Sequence, residues 1–238
     1  MHNRLTKLMY STQINPRSIN YRSTRHSLLI ILGLFFIGNS MSAIADGQRP
    51  ASLEYSSLKL PSSLGESRKN LIIHGLKLAQ DHGWLTYIFG SADPENGGFD
   101  CSGATYYLLS KEGLEPPRSS SAQYIWVHDA GNFHAVKKGT TNYDDPAFDK
   151  LLPGDLLFWA GTYKPTDHRK TKVTHVAIYA GQDAKGNHIM LNSSDGRSYL
   201  HKKQSGYGVF DFHLPSATSK STFLGYGSAP KIDQPTVK

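Results

Sequence analysis

Gly97-Gly98-Phe99-Asp100-Cys101-Ser102-Gly103-Ala104-Thr105-Tyr106-Tyr107-Leu108, residues 97–108, joins a long turn to a helical pattern and sets the chain's single cysteine at the junction. The turn begins at Gly90 and runs through Ser91, Asp93, Pro94 and Asn96, residues that break periodic structure. Beyond the cysteine, Ala104, Tyr107 and Leu108 share one helical face and Gly113 ends the segment, so Cys101 falls in the first turn of a helix. A thiol attacks only as thiolate, and a helix N-terminus beside a proton-accepting histidine lowers its pKa. Without such company a free cysteine is as often a small buried hydrophobe.

Working outward, Leu71, Ile72, Leu76 and Ala79 recur at helical spacing between Glu66 and His82, and Asp81-His82-Gly83 supplies the stop. Trp84 to Phe89 is a short aromatic stretch. Ser119 to Val127 reads as another short helix, capped by Ser119 or Ser120, with Ile125 and Trp126 on its apolar side. Residues 128–150 are polar and aperiodic, and read as an insertion or long surface loop. After Leu152-Pro153-Gly154-Asp155, Leu156–Trp159 and Val173–Ala180 read as strands. Gly181–Asn187 is a hairpin turn, Ile189–Leu191 starts the return strand, and Val209–Leu214 and Phe223–Tyr226 are further strands. Helices come first and strands later, so the expected class is α+β, N-terminal helices on an antiparallel sheet, rather than a doubly wound fold.

The N-terminus reads differently. Arg4, Lys7, Arg17, Arg22 and Arg25 precede an apolar run, Leu28–Ile37, that ends in Ala43-Ile44-Ala45. This is the pattern of a secretory signal peptide over residues 1–45 with cleavage after Ala45; the alternative is an uncleaved anchor, the one route to a membrane. An arm at 46–65, a domain at 66–228 and a tail at 229–238 complete the expected organisation. The chain's 26 Lys+Arg and 19 Asp+Glu give a formal charge of +7. Residues 1–45 hold five of those cations and no acid, which leaves 21 cations against 19 acids, or +2. No basic stripe for nucleic acid is expected on that remainder.

Eleven histidines are present, and His175 is the best candidate partner for Cys101. It lies in the β-branched stretch Val173-Thr174-His175-Val176-Ala177-Ile178-Tyr179, where alternation turns it inward with Ala177 and Tyr179. A buried histidine needs a polar partner; a strand histidine bonded only to backbone is the competing reading. No His-x-x-x-His or Cys-x-x-Cys spacing points to a metal, and neither metal nor cofactor is expected.

Asp-Cys-Ser-Gly at 100–103, Pro-Gly-Asp-Leu-Leu-Phe-Trp at 153–159 and His-Val-Ala-Ile-Tyr-Ala-Gly at 175–181 together resemble the NlpC/P60 family of papain-like cell-wall cysteine peptidases. Tyr87 with Phe89-Gly90, and Pro117-Arg118-Ser119 with Gln123, are similar to two further family segments, and the resemblance runs from about 66 to 228 in the family's order. It implies Cys101 as nucleophile, His175 as general base and then acid, and a polar residue on the next strand that orients the imidazole. Met190 and Asn192 share a face there, and aligning Met190-Leu191-Asn192-Ser193 with the family pattern puts Asn192 in that place, with His188 as the alternative. Tyr87 would hold substrate or the oxyanion, as would Ser102 and Arg118, while Asp100 would cap the helix. Ser91 and Ala177 depart from expected glycines. The stretches 128–150 and 160–172 lengthen the chain between cysteine and histidine; Tyr163–Lys172 either borders the cleft or is a solvated loop.

The implied activity is that of an exported, monomeric peptidase acting on peptidoglycan stem peptides between D-glutamate and diaminopimelate, in the periplasm or outside the cell. An amidase or antibacterial effector using the same pair, or a non-catalytic wall-binding protein, are the alternatives.

Overall fold

A computed structural model describes residues 49–233. The expected signal segment lies outside these residues. Three α-helices are present among them: α1 (Glu66–Asp81), α2 (Cys101–Lys111) and α3 (Ser120–Asp129). In chain order the strands are β1 (Leu58–Lys59), β2 (Thr86–Tyr87), β3 (Ala92–Asp93), β4 (Gly98–Phe99), β5 (Phe133–Ala135), β6 (Leu156–Ala160), β7 (Val173–Asp183), β8 (His188–Tyr199), β9 (Lys202–Asp211) and β10 (Thr222–Gly227). The α+β class with an antiparallel main sheet is as expected.

That sheet has seven strands in the order β5-β10-β6-β7-β8-β9, with β1 added beside β7. Alternation along its central strands makes two cores. Leu156 and Phe158 of β6, Val176 and Ile178 of β7 and Leu191 of β8 meet the apolar stripe of α1 and α2, chiefly Leu71, Ile72, Leu76 and Leu108. The alternate residues, Leu157, Trp159, Ala177, Tyr179 and Met190, face a second cluster with Phe210, Phe212, Phe223 and Tyr226. α1 comes very close to the sheet at Gly75, where a Cβ would lie 2.4 Å from Leu191 Cδ1, and the Tyr207 hydroxyl donates to the Gly75 carbonyl at 2.9 Å. A side chain there would push the helix off the strands.

Several segments carry more structure than their local pattern announces. The stretch 128–150 contains β5, paired antiparallel with β10 from Phe133↔Gly227 to Ala135↔Gly225, and its Val136 and Phe148 are buried in the second core. Residues 86–99 fold into a small sheet in the order β2-β4-β3. The described part of the arm is bound to the main sheet: Leu58 pairs with Asp183, Lys59 with Gln182, and Ala51 bridges to Val209. β7 runs to Asp183, so the hairpin turn is shorter than Gly181–Asn187, and β8 and β9 are both longer than the sequence suggested.

The described part of the tail is also held. Arg68, in the first turn of α1, is 3% exposed; its Nη1 donates to Asp155 at 2.8 Å and to the Pro153 carbonyl at 3.0 Å. Its Nε and Nη2 donate to Asp233 at 2.7 and 3.1 Å. One guanidinium thus ties the start of α1, the turn into β6 and the C-terminal residues together. Removing one member of a buried pair strands the other charge, so Arg68→Ala should cost about 3–5 kcal/mol in chemical denaturation. Arg68→Met combined with Asp155→Asn should lose less than Arg68→Ala alone; a loss below about 1 kcal/mol for Arg68→Ala would refute the assigned role.

Candidate active site

Cys101 is the first residue of α2 because Asp100 caps it: Asp100 Oδ1 accepts from the Gly103 N–H at 2.6 Å. Gly103 is needed for a steric reason, since a Cβ would fall 1.9 Å from the Ser91 carbonyl oxygen, where the preceding loop crosses the helix. The same loop is bound to the cap from the other side, with the Gly90 N–H donating to Asp100 Oδ2 at 2.8 Å. β4, which delivers the chain to the cap, is pinned to β8 by Ser193 Oγ donating to the Phe99 carbonyl at 2.7 Å.

Arg118 and Ser102 brace this cap. Arg118 forks the carboxylate, Nη1 to Oδ1 at 3.0 Å and Nη2 to Oδ2 at 2.9 Å, and also donates to Ser102 Oγ and the Ser91 carbonyl. Ser102 Oγ donates to Asp100 Oδ1 at 3.2 Å. Both side chains are engaged within the protein, because a buried carboxylate needs partners for its lone pairs, and both also border a hollow beside Cys101. Gln123 is similarly internal: its amide donates to the Ser102 and Pro117 carbonyls and accepts from Thr105, locking α3 to α2.

The backbone N–H groups of Val176 and Ser102 lie near enough to the cysteine sulfur to favour its thiolate, and Val176 is the neighbour of His175 in β7. Asn192 on β8 lies beside His175, Nδ2 to Nε2 at 3.0 Å, both buried. Asn192 Oδ1 then has no partner among the described residues. A half-turn of the amide, which exchanges two atoms of nearly equal size, gives Oδ1 to an Nε2–H and leaves Nδ1 of the imidazole free to accept a proton. His188 sits elsewhere. Its Nδ1 faces the Tyr179 hydroxyl at 2.7 Å, its Nε2 faces Gln182 at 3.0 Å, and its ring stacks on Tyr143.

Burial governs the electrostatics. It pushes the Cys101 thiol up to about 11, with Asp100 adding to the rise and the Val176 and Ser102 N–H groups and Arg197 opposing it. Burial, then the Arg197 charge, holds His175 well below the ordinary histidine value of 6.5. Thiol and imidazole are therefore both neutral at pH 7 in the free protein. Tyr87, half-buried and close enough to feel Cys101, is raised by burial and keeps its phenolic proton.

Two hollows meet here. A cleft of about 750 Å³ is bordered by His175, Thr174, Asp195 and Arg197, and a smaller one of about 240 Å³ by Cys101, Asp100, Ser102 and Arg118. Tyr87, Phe89 and Tyr163 border both. Phe89 is 76% exposed and stands edge-on to Tyr163, ring centroids 6.5 Å apart. The loop 160–172 thus lines the site. Arg169 braces it by bonding to Asp167, the Tyr163 hydroxyl and the Val173 carbonyl. Arg197 was not singled out by the sequence, which carries no local signal of where this side chain points. Among the described residues no group of three or more His, Cys, Asp or Glu gathers as a metal site would require.

The arrangement joins a thiol at a helix N-terminus, a buried imidazole and an amide that can orient it, with the thiol and the imidazole bordering the two adjoining hollows. Curated relatives match about half of the chain. The bifunctional muramidase/DL-endopeptidase CwlT of Bacillus subtilis is 33% identical over 121 residues, 51% of this chain and 29% of the relative. The probable endopeptidase p60 of Listeria monocytogenes is 32% identical over 133 residues, 56% of this chain and 21% of the relative. The chain thus matches less than a third of the length of either. An NLP/P60 family protein of Staphylococcus aureus in a crystal structure aligns with a TM-score of 0.44 at 23% identity, over 73% of this chain and 44% of that one. The pattern of the NlpC/P60 family covers residues 83–211, from just after α1 to the end of β9, and the chain belongs to that family.

Proposed function

We propose that this protein is an exported cysteine peptidase that hydrolyses peptide bonds in peptidoglycan stem peptides, at the D-glutamyl–diaminopimelate bond. The observation that carries the reading is the buried His175–Asn192 pair next to the Cys101 sulfur on an open cleft. The names of the relatives, a DL-endopeptidase and a probable endopeptidase among them, support the substrate class.

In this reading Asn192 holds the imidazole by Nε2–H, so Nδ1 accepts the Cys101 proton as Sγ attacks the scissile carbonyl. The Tyr87 hydroxyl and the Cys101 N–H donate to the oxyanion. The imidazolium then gives its proton to the departing amine, leaving a thioester. Water, deprotonated by His175, attacks that thioester and releases the free acid and the thiol. No metal enters the scheme.

Digestion of purified sacculi followed by mass spectrometry of the fragments should show trimmed stem peptides, with none from Cys101→Ala. Release of whole stem peptides from glycan would mean an amidase, and products undiminished in Cys101→Ala would mean a contaminant or a non-catalytic wall-binding protein.

Asn192→Ala should lower kcat by about 10- to 100-fold with His175 still in place, and His188→Ala should leave kcat within about threefold. The opposite pattern would displace Asn192 from the site.

Because the Cys101 thiol is raised and His175 lowered in the free protein, both forms are neutral at pH 7. Alkylation of Cys101 by iodoacetamide should therefore climb as pH rises toward about 11. A fast, pH-independent rate from pH 5 to 8 would indicate a standing thiolate–imidazolium pair and contradict this.

A further inference from the structure

Arg197 is the one strongly perturbed cation at the site that the scheme above leaves without a task. It stands in β8 where the pairing with β9 slips, between Asp195↔Ser205 and Ser198↔Lys203. Gly196, at φ +91°, opens this bulge. A bulge re-aims the side chain it carries, and here the Arg197 side chain turns onto the wall of the larger cleft. Its guanidinium lies 4.5 Å from the centre of the Trp159 ring, and the same ring meets His175 edge-on at 5.6 Å. Stacking of this kind holds a guanidinium flat and leaves its N–H fork free at the rim.

No acid among the described residues pairs with it, and burial brings it down to about 10. Arg197 therefore stays charged at neutral pH, partly stripped of its water and bordering the larger cleft. A guanidinium so placed is the natural counterpart of a planar anion, which it can take with two parallel hydrogen bonds.

We propose that Arg197 is the carboxylate receptor of the cleft, holding a free carboxylate on a substrate residue that flanks the scissile bond. Its identity as a stem-peptide carboxylate rests on the function proposed above. A γ-linked D-glutamyl residue keeps its α-carboxylate on the acyl side, and diaminopimelate offers one on the amine side. Either would set the scissile carbonyl against the thiol by an anchor that an ordinary uncharged peptide lacks. Arg197 acts here on substrate position and specificity; it takes no part in proton transfer.

The chain's single cysteine gives a test that needs no peptidoglycan. Iodoacetate carries a carboxylate and iodoacetamide does not, while each places a thioether on Cys101 with loss of iodide. The ratio of their alkylation rates at one pH cancels the thiolate fraction. Wild type should favour iodoacetate relative to the ratio for a small free thiol. Arg197→Met should remove that preference, on the order of tenfold or more, and Arg197→Lys should keep part of it. Lys220, the other cation bordering the cleft, is the control: Lys220→Met should leave the ratio in place. A ratio that is the same in wild type and Arg197→Met, or that collapses only in Lys220→Met, overturns the proposal.

On defined muropeptides, replacing the glutamyl α-carboxylate or the diaminopimelate carboxylate by a carboxamide locates the anchor. The arm that slows wild type on the order of tenfold, and slows Arg197→Met no further, is the one Arg197 reads. Equal losses in both arms for both proteins would overturn the substrate assignment. Failure of wild type to cut any muropeptide, with the alkylation ratio intact, would defeat the peptidoglycan reading and leave the carboxylate receptor standing.

Discussion

Five hydrogen bonds converge on the Asp100 carboxylate: from the N–H groups of Gly90 and Gly103, the Ser102 hydroxyl and both terminal nitrogens of Arg118. Everything the site needs from the helical side follows from this acceptor. It begins α2 at Cys101, folds the loop 90–97 back over the first turn, and binds the segment carrying Arg118 to both. Its cost is electrostatic, because the same negative charge opposes a thiolate one residue away. Two backbone N–H groups and the Arg197 charge work in the opposite direction without overcoming burial. The protein builds the position of the sulfur first and leaves its ionisation to events in the occupied cleft.

From the strand side the constraint is alternation. His175 and Asn192 face the same side as Trp159 and Met190, since β6, β7 and β8 are adjacent and Trp159 is registered with His175. Trp159 therefore serves as a floor between the imidazole and Arg197, and its own Nε1 is left without a partner among the described residues. A column of Asn192, His175, Trp159 and Arg197 thus runs from core to rim, with Asn192 and Trp159 buried and His175 and Arg197 bordering the larger cleft.

What the sequence revealed follows from the range of the forces involved. Helices α1, α2 and α3 and the inner strands β6 and β7 were legible because periodicity and caps are local signals. The adjacency of His175 and Asn192 came from strand alternation combined with the family pattern. β5 was hidden: Phe133-His134-Ala135 has no strand signature of its own and is held by β10, some ninety residues later. The small sheet at 86–99 was hidden for a similar reason, each strand being two residues long. The hydrogen bonds of Ser102 and Arg118 to the cap were not legible, because they depend on a loop that the fold brings over the first turn of α2. Arg197 was invisible because a bulge, a property of pairing and not of composition, decides where it points.

The Arg68 clasp carries a consequence for how the molecule opens. It joins the first turn of α1 to Asp155 at the entry to β6 and to Asp233 near the end of the described chain. In most small domains the terminal residues detach and reattach independently of the interior, in openings of almost no free energy. Here detachment of residue 233 takes a partner from a guanidinium whose other partner is the carboxylate at the head of a central strand. The described residues up to 233 and the strand that registers His175 are therefore coupled, and amide exchange at 231–233 should track exchange in β6 instead of outrunning it.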